Sequence, residues 1–115
     1  MGIDMTCIDL SVPDLLRCSF GLSKREAAVL MRMLESGGWM PVSRIASLSR
    51  RDRSVVQRAL LSLAEKGAVE REQHNKEGGG YEYLYRAKGK RAVKRAIREK
   101  SRNFCMMVDA AVASW

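Results

Sequence analysis

The hydrophobic period of this 115-residue chain changes twice, and this limits the folds open to it. Up to Gly67 the apolar residues recur at helical spacing. Ala27, Leu30, Met31 and Leu34 stand at i, i+3, i+4 and i+7, and Val56, Leu60 and Leu63 repeat in the same way. Residues 81–86 then alternate tyrosine with other side chains, as a strand does. From residue 89 the helical period returns and runs to the end. The class is therefore α+β, mostly α, with one hairpin set between helices.

Local signals divide the helical part. Residues 13–19 predict a short helix with Pro13 in its first turn. Ser23 and Glu26 form a capping-box pattern, and Gly37-Gly38 ends the helix they start. Trp39 to Val42 reads as a short extended piece. Ser43 is placed to cap a brief helix holding Ile45, Ala46 and Leu48. Asp52 or Ser54 caps the next helix, which Gly67 closes. Residues 68–73 and 81–86 read as two strands joined by His74 to Gly80. Three glycines alone do not make a phosphate cradle, because no lysine and serine follow them at a helix start. No repeat or long linker divides the chain, so 1–115 reads as one domain: an arm and short helix at 1–22, a core at 23–87 and a long helix at 88–115.

Charge points to the partner. The chain carries +8 overall, with a sequence pI near 9.9. Residues 1–22 hold Asp4, Asp9 and Asp14 against Arg17, and residues 103–115 hold only Asp109, so 23–102 carries +11. A basic body of this size suits a polyanion: nucleic acid, or an anionic membrane surface. No apolar run is long enough to span a bilayer, and the acidic N-terminus is the wrong flank for a signal peptide. Cys7, Cys18 and Cys105 form no C-x-x-C pair, which points to reduced thiols in a cytoplasmic protein rather than zinc or disulfides, nucleoid-associated if the polyanion is DNA. Redox sensing by one of these thiols stays open. The lone histidine, His74, falls in a loop and the carboxylates are scattered, so neither an enzyme nor a cofactor or metal site is expected.

The last segment is two-faced. Lys88, Lys90, Arg91, Lys94, Arg95, Arg98, Lys100 and Arg102 crowd its first half against Glu99 alone. Val93, Ile97, Phe104, Val108, Ala111 and Trp115 follow a near-heptad seam into an apolar second half. A second subunit is the simplest cover for that surface. Folding back onto the first helices and lying on a membrane surface are the alternatives.

The order helix, helix, short strand, helix, helix, hairpin, long helix resembles a winged helix-turn-helix domain. Ile45-Ala46 stands where that family carries Leu-Ala, and Val56 follows eleven residues after Ile45. Leu63-Ala64-Glu65-Lys66-Gly67-Ala68-Val69-Glu70-Arg71 is similar to the matching piece of MarR-type and TrmB-type regulators, and the long last helix is similar to the dimerising helix of small archaeal members. Two features depart from the pattern: Arg51 stands at a usually apolar turn position, and the piece between Pro41 and Ile45 is short.

The resemblance implies a homodimeric transcriptional regulator that reads double-stranded DNA with a recognition helix near 52–66. It assigns Arg53, Ser54 and Gln57 to base edges, and Ser43, Arg44, Arg50, Arg51 and Arg58 to phosphates. Arg71, His74, Asn75 and Lys76 are the candidates on the wing, a segment with a net charge of −1 over 68–86. Leu15, Leu16, Ile97, Phe104, Val108, Ala111 and Trp115 are the candidates for the dimer interface. Two other roles fit the same fold: an architectural protein indifferent to sequence, or a protein-docking module. The operator, the direction of regulation, any effector, and the role of the 88–102 basic run stay open.

Overall fold

The computed structural model describes residues 11–115. Five helices and a three-stranded antiparallel sheet follow in the order α1 (Val12–Phe20), α2 (Lys24–Ser36), β1 (Met40–Pro41), α3 (Val42–Ser49), α4 (Arg53–Glu65), β2 (Val69–Asn75), β3 (Tyr81–Ala87) and α5 (Lys90–Ala113). The sheet order is β1-β3-β2, with Met40 opposite Tyr85 and Val69 opposite Ala87. This is a winged helix with a long C-terminal helix, mostly α. Cys7, Asp4 and Asp9 lie outside the described residues.

The caps explain where the helices begin. The Ser23 side chain accepts from the Glu26 N–H at 3.1 Å, and Glu26 Oε1 accepts from the Ser23 N–H at 2.9 Å, so two otherwise orphaned donors are satisfied reciprocally. Asp52, rather than Ser54, caps α4. Ser43 does not cap α3. That helix starts two residues earlier than a Ser43 cap would allow, at Val42, with Pro41 as its N-cap and no side-chain hydrogen bond there. Pro41 ends β1 in an extended conformation (φ −72°, ψ 162°) and leads straight into the helix, so strand and helix need no connecting residues.

The turn between α3 and α4 is made by Arg50 in the left-handed region (φ 52°, ψ 43°). Its N–H reaches the Ser47 carbonyl at 3.3 Å, and the Arg51 N–H reaches the Ala46 carbonyl at 3.2 Å. These bonds occupy carbonyls at the end of α3. Both arginine side chains point to solvent, so an apolar residue is not needed at position 51 for this turn to close.

One core joins every helix to the sheet. Leu16, Val29, Leu30, Ile45, Val56, Leu60 and Leu63 are fully buried, with Met33, Ala68, Tyr85 and Val93 beside them. Leu16, expected at a subunit interface, is instead part of this core, because α1 lays its apolar face on α2. The core ends on α5 at Ile97, which is partly buried; every residue from 101 to 115 is exposed. Among the described residues no helix is long and apolar enough to cross a membrane.

Glu26 ties α4 to α2. Its carboxylate is buried and takes Lys66 Nζ at 2.9 and 3.1 Å, joining the start of α2 to the end of α4. Burial alone pushes its pKa up. Hydrogen bonds from Ser62, the Ser23 N–H, Lys66 and the Ser23 hydroxyl outweigh burial and bring it from 4.5 to about 2. Because the folded value is depressed, the stabilisation is complete above pH 4.5 and is lost as pH falls towards 2. Glu26→Gln is expected to lower stability at neutral pH by about 2–3 kcal/mol and to flatten the acid limb over that window. Urea melts at pH 7 and between pH 5 and 2 measure both effects.

Candidate nucleic-acid interface

Helix α4 divides its faces by chemistry. Val56, Ala59, Leu60 and Leu63 are buried, while Arg53, Ser54, Gln57, Arg58 and Leu61 face outward. The inward residues hold the helix on the core, so the outward row stands proud of the surface.

The start of α4 is fixed by Asp52. Its carboxylate accepts from the Ser54 hydroxyl and, at 3.2 Å, from the Ser54 N–H. The hydroxyl contributes most and the Ser54 N–H next, and together they hold the carboxyl below its usual range. Ser54 thus gives its proton to Asp52 and retains only acceptor capacity for a base edge. The anion also complements the positive end of the helix dipole, between Arg51 and Arg53.

A groove of about 210 Å³ runs between the helix-turn-helix and the hairpin. Ser43, Arg53 and Gln57 line one side, and Lys76, Tyr81, Glu82, Tyr83 and Tyr85 line the other. Of the sequence candidates, the structure brings Ser43, Arg53, Gln57 and Lys76 together here. Arg44, Arg50, Arg51 and Arg58 lie outside this groove, exposed and without an ion pair among the described residues. They add exposed positive charge outside the groove.

The wing is partly occupied with itself. The Arg71 guanidinium lies 4.4 Å from the centre of the Tyr83 ring, and His74 Nε2 meets Glu72 Oε1 at 3.1 Å. Farther back, Arg86 pairs with Glu70 at 2.6 Å and lies over Trp39. Lys76 and Asn75 sit at the tip, where the Lys76 N–H meets the Gly80 carbonyl at 3.0 Å. Gly78, Gly79 and Gly80 all have positive φ (86°, 105° and 79°), so the tip closes in a backbone shape that other residues adopt only with strain.

Tyr81, Glu82 and Tyr83 were missed as groove residues. Their alternation marked a strand, and the strand reading exhausted the signal. Tyr85 turns into the core, whereas Tyr81 is 57% exposed and meets Tyr83 edge to face at 5.6 Å between ring centres. The three tyrosines share one face of β3, and what separates them is how far the packed helices reach along the strand, which spacing does not show. Glu82 is the acidic element of an otherwise cationic groove.

Relatives place the fold in a functional class. Residues 16–90 match the family model described as sugar-specific transcriptional regulator TrmB. An uncharacterised protein of Methanocaldococcus jannaschii is 33% identical over 99 residues, covering 86% of this chain and 74% of that protein. A second uncharacterised protein of the same archaeon is 42% identical over 77 residues, covering 67% of this chain and 62% of that one, so the chain spans under two thirds of this relative's length. A solved structure from Methanosarcina mazei Go1, described as a possible transcriptional regulator, superposes with a TM-score of 0.83 at 27% identity, covering 98% of this chain and 95% of that one. With its winged helix, its uncovered basic α4 and this match over residues 16–90, the chain belongs to the TrmB family of DNA-binding transcriptional regulators.

Proposed function

We propose that the chain is a single winged-helix unit that works as a homodimer, recognising specific sequences in double-stranded DNA. Helix α4 enters the major groove, and each subunit reads one half-site. The observation that carries this is the groove joining Ser43, Arg53 and Gln57 to Lys76 and Tyr81 at the uncovered start of α4. An arginine fork pairs with guanine and a glutamine amide with adenine, and both side chains stand one turn apart on the outward face. Arg44, Arg50, Arg51 and Arg58 around them hold phosphates and set the register.

Dimerisation rests on the tail of α5. Phe104, Val108, Ala111 and Trp115 continue the seam that Val93 and Ile97 begin, and among the described residues nothing covers them. A twofold pair would set two α4 helices about one helical turn of DNA apart, roughly 34–36 Å.

The test is selection from a randomised duplex pool, followed by anisotropy on the winners and on a generic duplex across salt. Enrichment of a palindrome bound at least about 10³-fold above the generic duplex is expected. Equal affinity for all sequences with a steep salt slope would overturn sequence reading and favour an architectural role. No binding in low salt would overturn both.

A further inference from the structure

Helix α5 sorts its cations by type. Arg91, Arg95, Arg98 and Arg102 are spaced by four, three and four residues, so at about 100° per residue they lie within about 60° of one another. They line a shallow, open hollow together with Glu99. Lys90, Lys94 and Lys100 fall off this line. Arg98 also borders the apolar groove against α1, beside Lys90 and Lys94. None of the four arginines has an ion pair among the described residues. Seven residues beyond Arg102, Asp109 ends the line.

The stripe is not explained by the seam. Val93, Ile97, Phe104, Val108 and Trp115 lie about 140° round the helix from it, so a subunit packed on the seam leaves the arginines in solvent. Nor does it belong to the groove at α4. That groove runs along the hairpin from Lys76 and Tyr81 at the tip to Tyr85, and α5 starts beyond it, past the end where Ala87 pairs with Val69 and the Lys88 N–H meets the Ala68 carbonyl at 3.3 Å. The tip-end Tyr81 lies six residue steps from Ala87, about 20 Å of extended chain, and Tyr85 lies two. The arginines of α5 and the outward row of α4 are exposed on separate elements, and no residue of α5 lines the groove at α4.

From this arrangement we infer that the arginine stripe of α5 is a second binding surface for the phosphate backbone of duplex DNA, engaging a segment other than the one α4 reads, so that a dimer bridges two stretches of DNA. Guanidinium forks suit phosphate oxygens and hold their charge at any working pH, which fits a stripe of arginine alone. From Arg91 to Arg102 the helix rises about 16 Å, which faces several phosphates of a duplex carrying one charge per about 1.7 Å of axis. The contact carries no base information, so it tethers whatever duplex is nearby.

The bridging part of the proposal rests on the dimer and DNA-binding reading above, and the experiment separates the two. Bead-bound duplex is incubated with the protein and a free labelled duplex, and capture of the label is measured, alongside anisotropy on one short selected duplex. The variant is Arg91→Gln with Arg95→Gln, Arg98→Gln and Arg102→Gln, on exposed positions where glutamine keeps helix propensity. It is expected to lose label capture at least about tenfold while its short-duplex affinity stays within about threefold, and the salt slope of capture should fall by about 3–4. Arg53→Ala with Gln57→Ala is the opposite control: it loses selective short-duplex binding through α4. A thermal melt and the molecular mass in solution confirm that the quadruple variant is folded and assembled. The inference is overturned if the wild type captures no second duplex while binding the first, or if the quadruple variant captures as well as wild type. It is also overturned if that variant loses short-duplex affinity in step with capture, since the stripe would then sit on the same DNA as α4. Should the wild type bind no duplex at all, the underlying DNA reading fails instead, and the bridging inference falls with it.

Discussion

Phe104→Glu combined with Val108→Glu is expected to convert a dimer into monomers and to lower affinity for a two-half-site duplex on the order of 100-fold or more. Both residues lie on the α5 seam beyond the last core contact, 58% and 42% exposed. In the proposed dimer they meet a second copy, and a glutamate there is buried without a partner, at a cost of several kcal/mol. DNA affinity falls because the second half-site is no longer delivered at high local concentration. The winged-helix body should still melt cooperatively, at a temperature lowered only by the lost association and no longer dependent on protein concentration, since neither residue touches its core. Sedimentation gives the mass, anisotropy gives the affinity, and the circular dichroism melt is the control. A wild-type protein that sediments as a monomer at micromolar concentration, or a double variant that remains a dimer, would refute the assignment of this seam.

The second large effect is at α4. Arg53→Ala with Gln57→Ala should abolish preference for the selected sequence, a loss on the order of 100-fold or more if each side chain makes one good base contact worth about 1–3 kcal/mol. Binding to a generic duplex should fall much less, because Arg44, Arg50, Arg51 and Arg58 remain. Arg58→Ala gives the contrasting signature: weaker binding to every sequence alike, and a salt slope reduced by about 1. Both arginines are exposed and outside the core, so the fold is not at stake. If the double alanine variant keeps its sequence preference, the base contacts lie elsewhere, with Tyr81 and Glu82 on the opposite wall of the groove the first to examine.

Much of this architecture was legible in the chain because the signals are local. The Ser23–Glu26 box, the Asp52 cap and the Gly67 stop act within a few residues of themselves, and each stands where the helices begin or end. The switch of period at Gly67 announced the hairpin, whose strands run slightly longer than their composition suggested. Ser43 misled for the same reason: serine before an apolar run looks like a cap, but β1 pairs with β3 and its extended Pro41 had already started α3.

Side-chain destinations were another matter. Leu16 looks like Leu15 in sequence, and both border the groove between α1 and α5, yet Leu16 is fully buried and Leu15 only partly so. Tyr85 and Tyr81 share a strand face by alternation, but only Tyr85 is covered by the core. The union of Arg53 and Gln57 with Lys76, and of Glu26 with Lys66, needs segments about 20 and 40 residues apart to meet. The elements, most of their caps and the basic character of the chain could be read residue by residue, because propensity, capping and charge are properties of short stretches. Only the tertiary structure decided which residues share a groove, which carboxylate is buried against a lysine, and which arginines stand clear of the core. Those outcomes depend on how helices pack across the sheet, and packing joins residues that no local spacing relates.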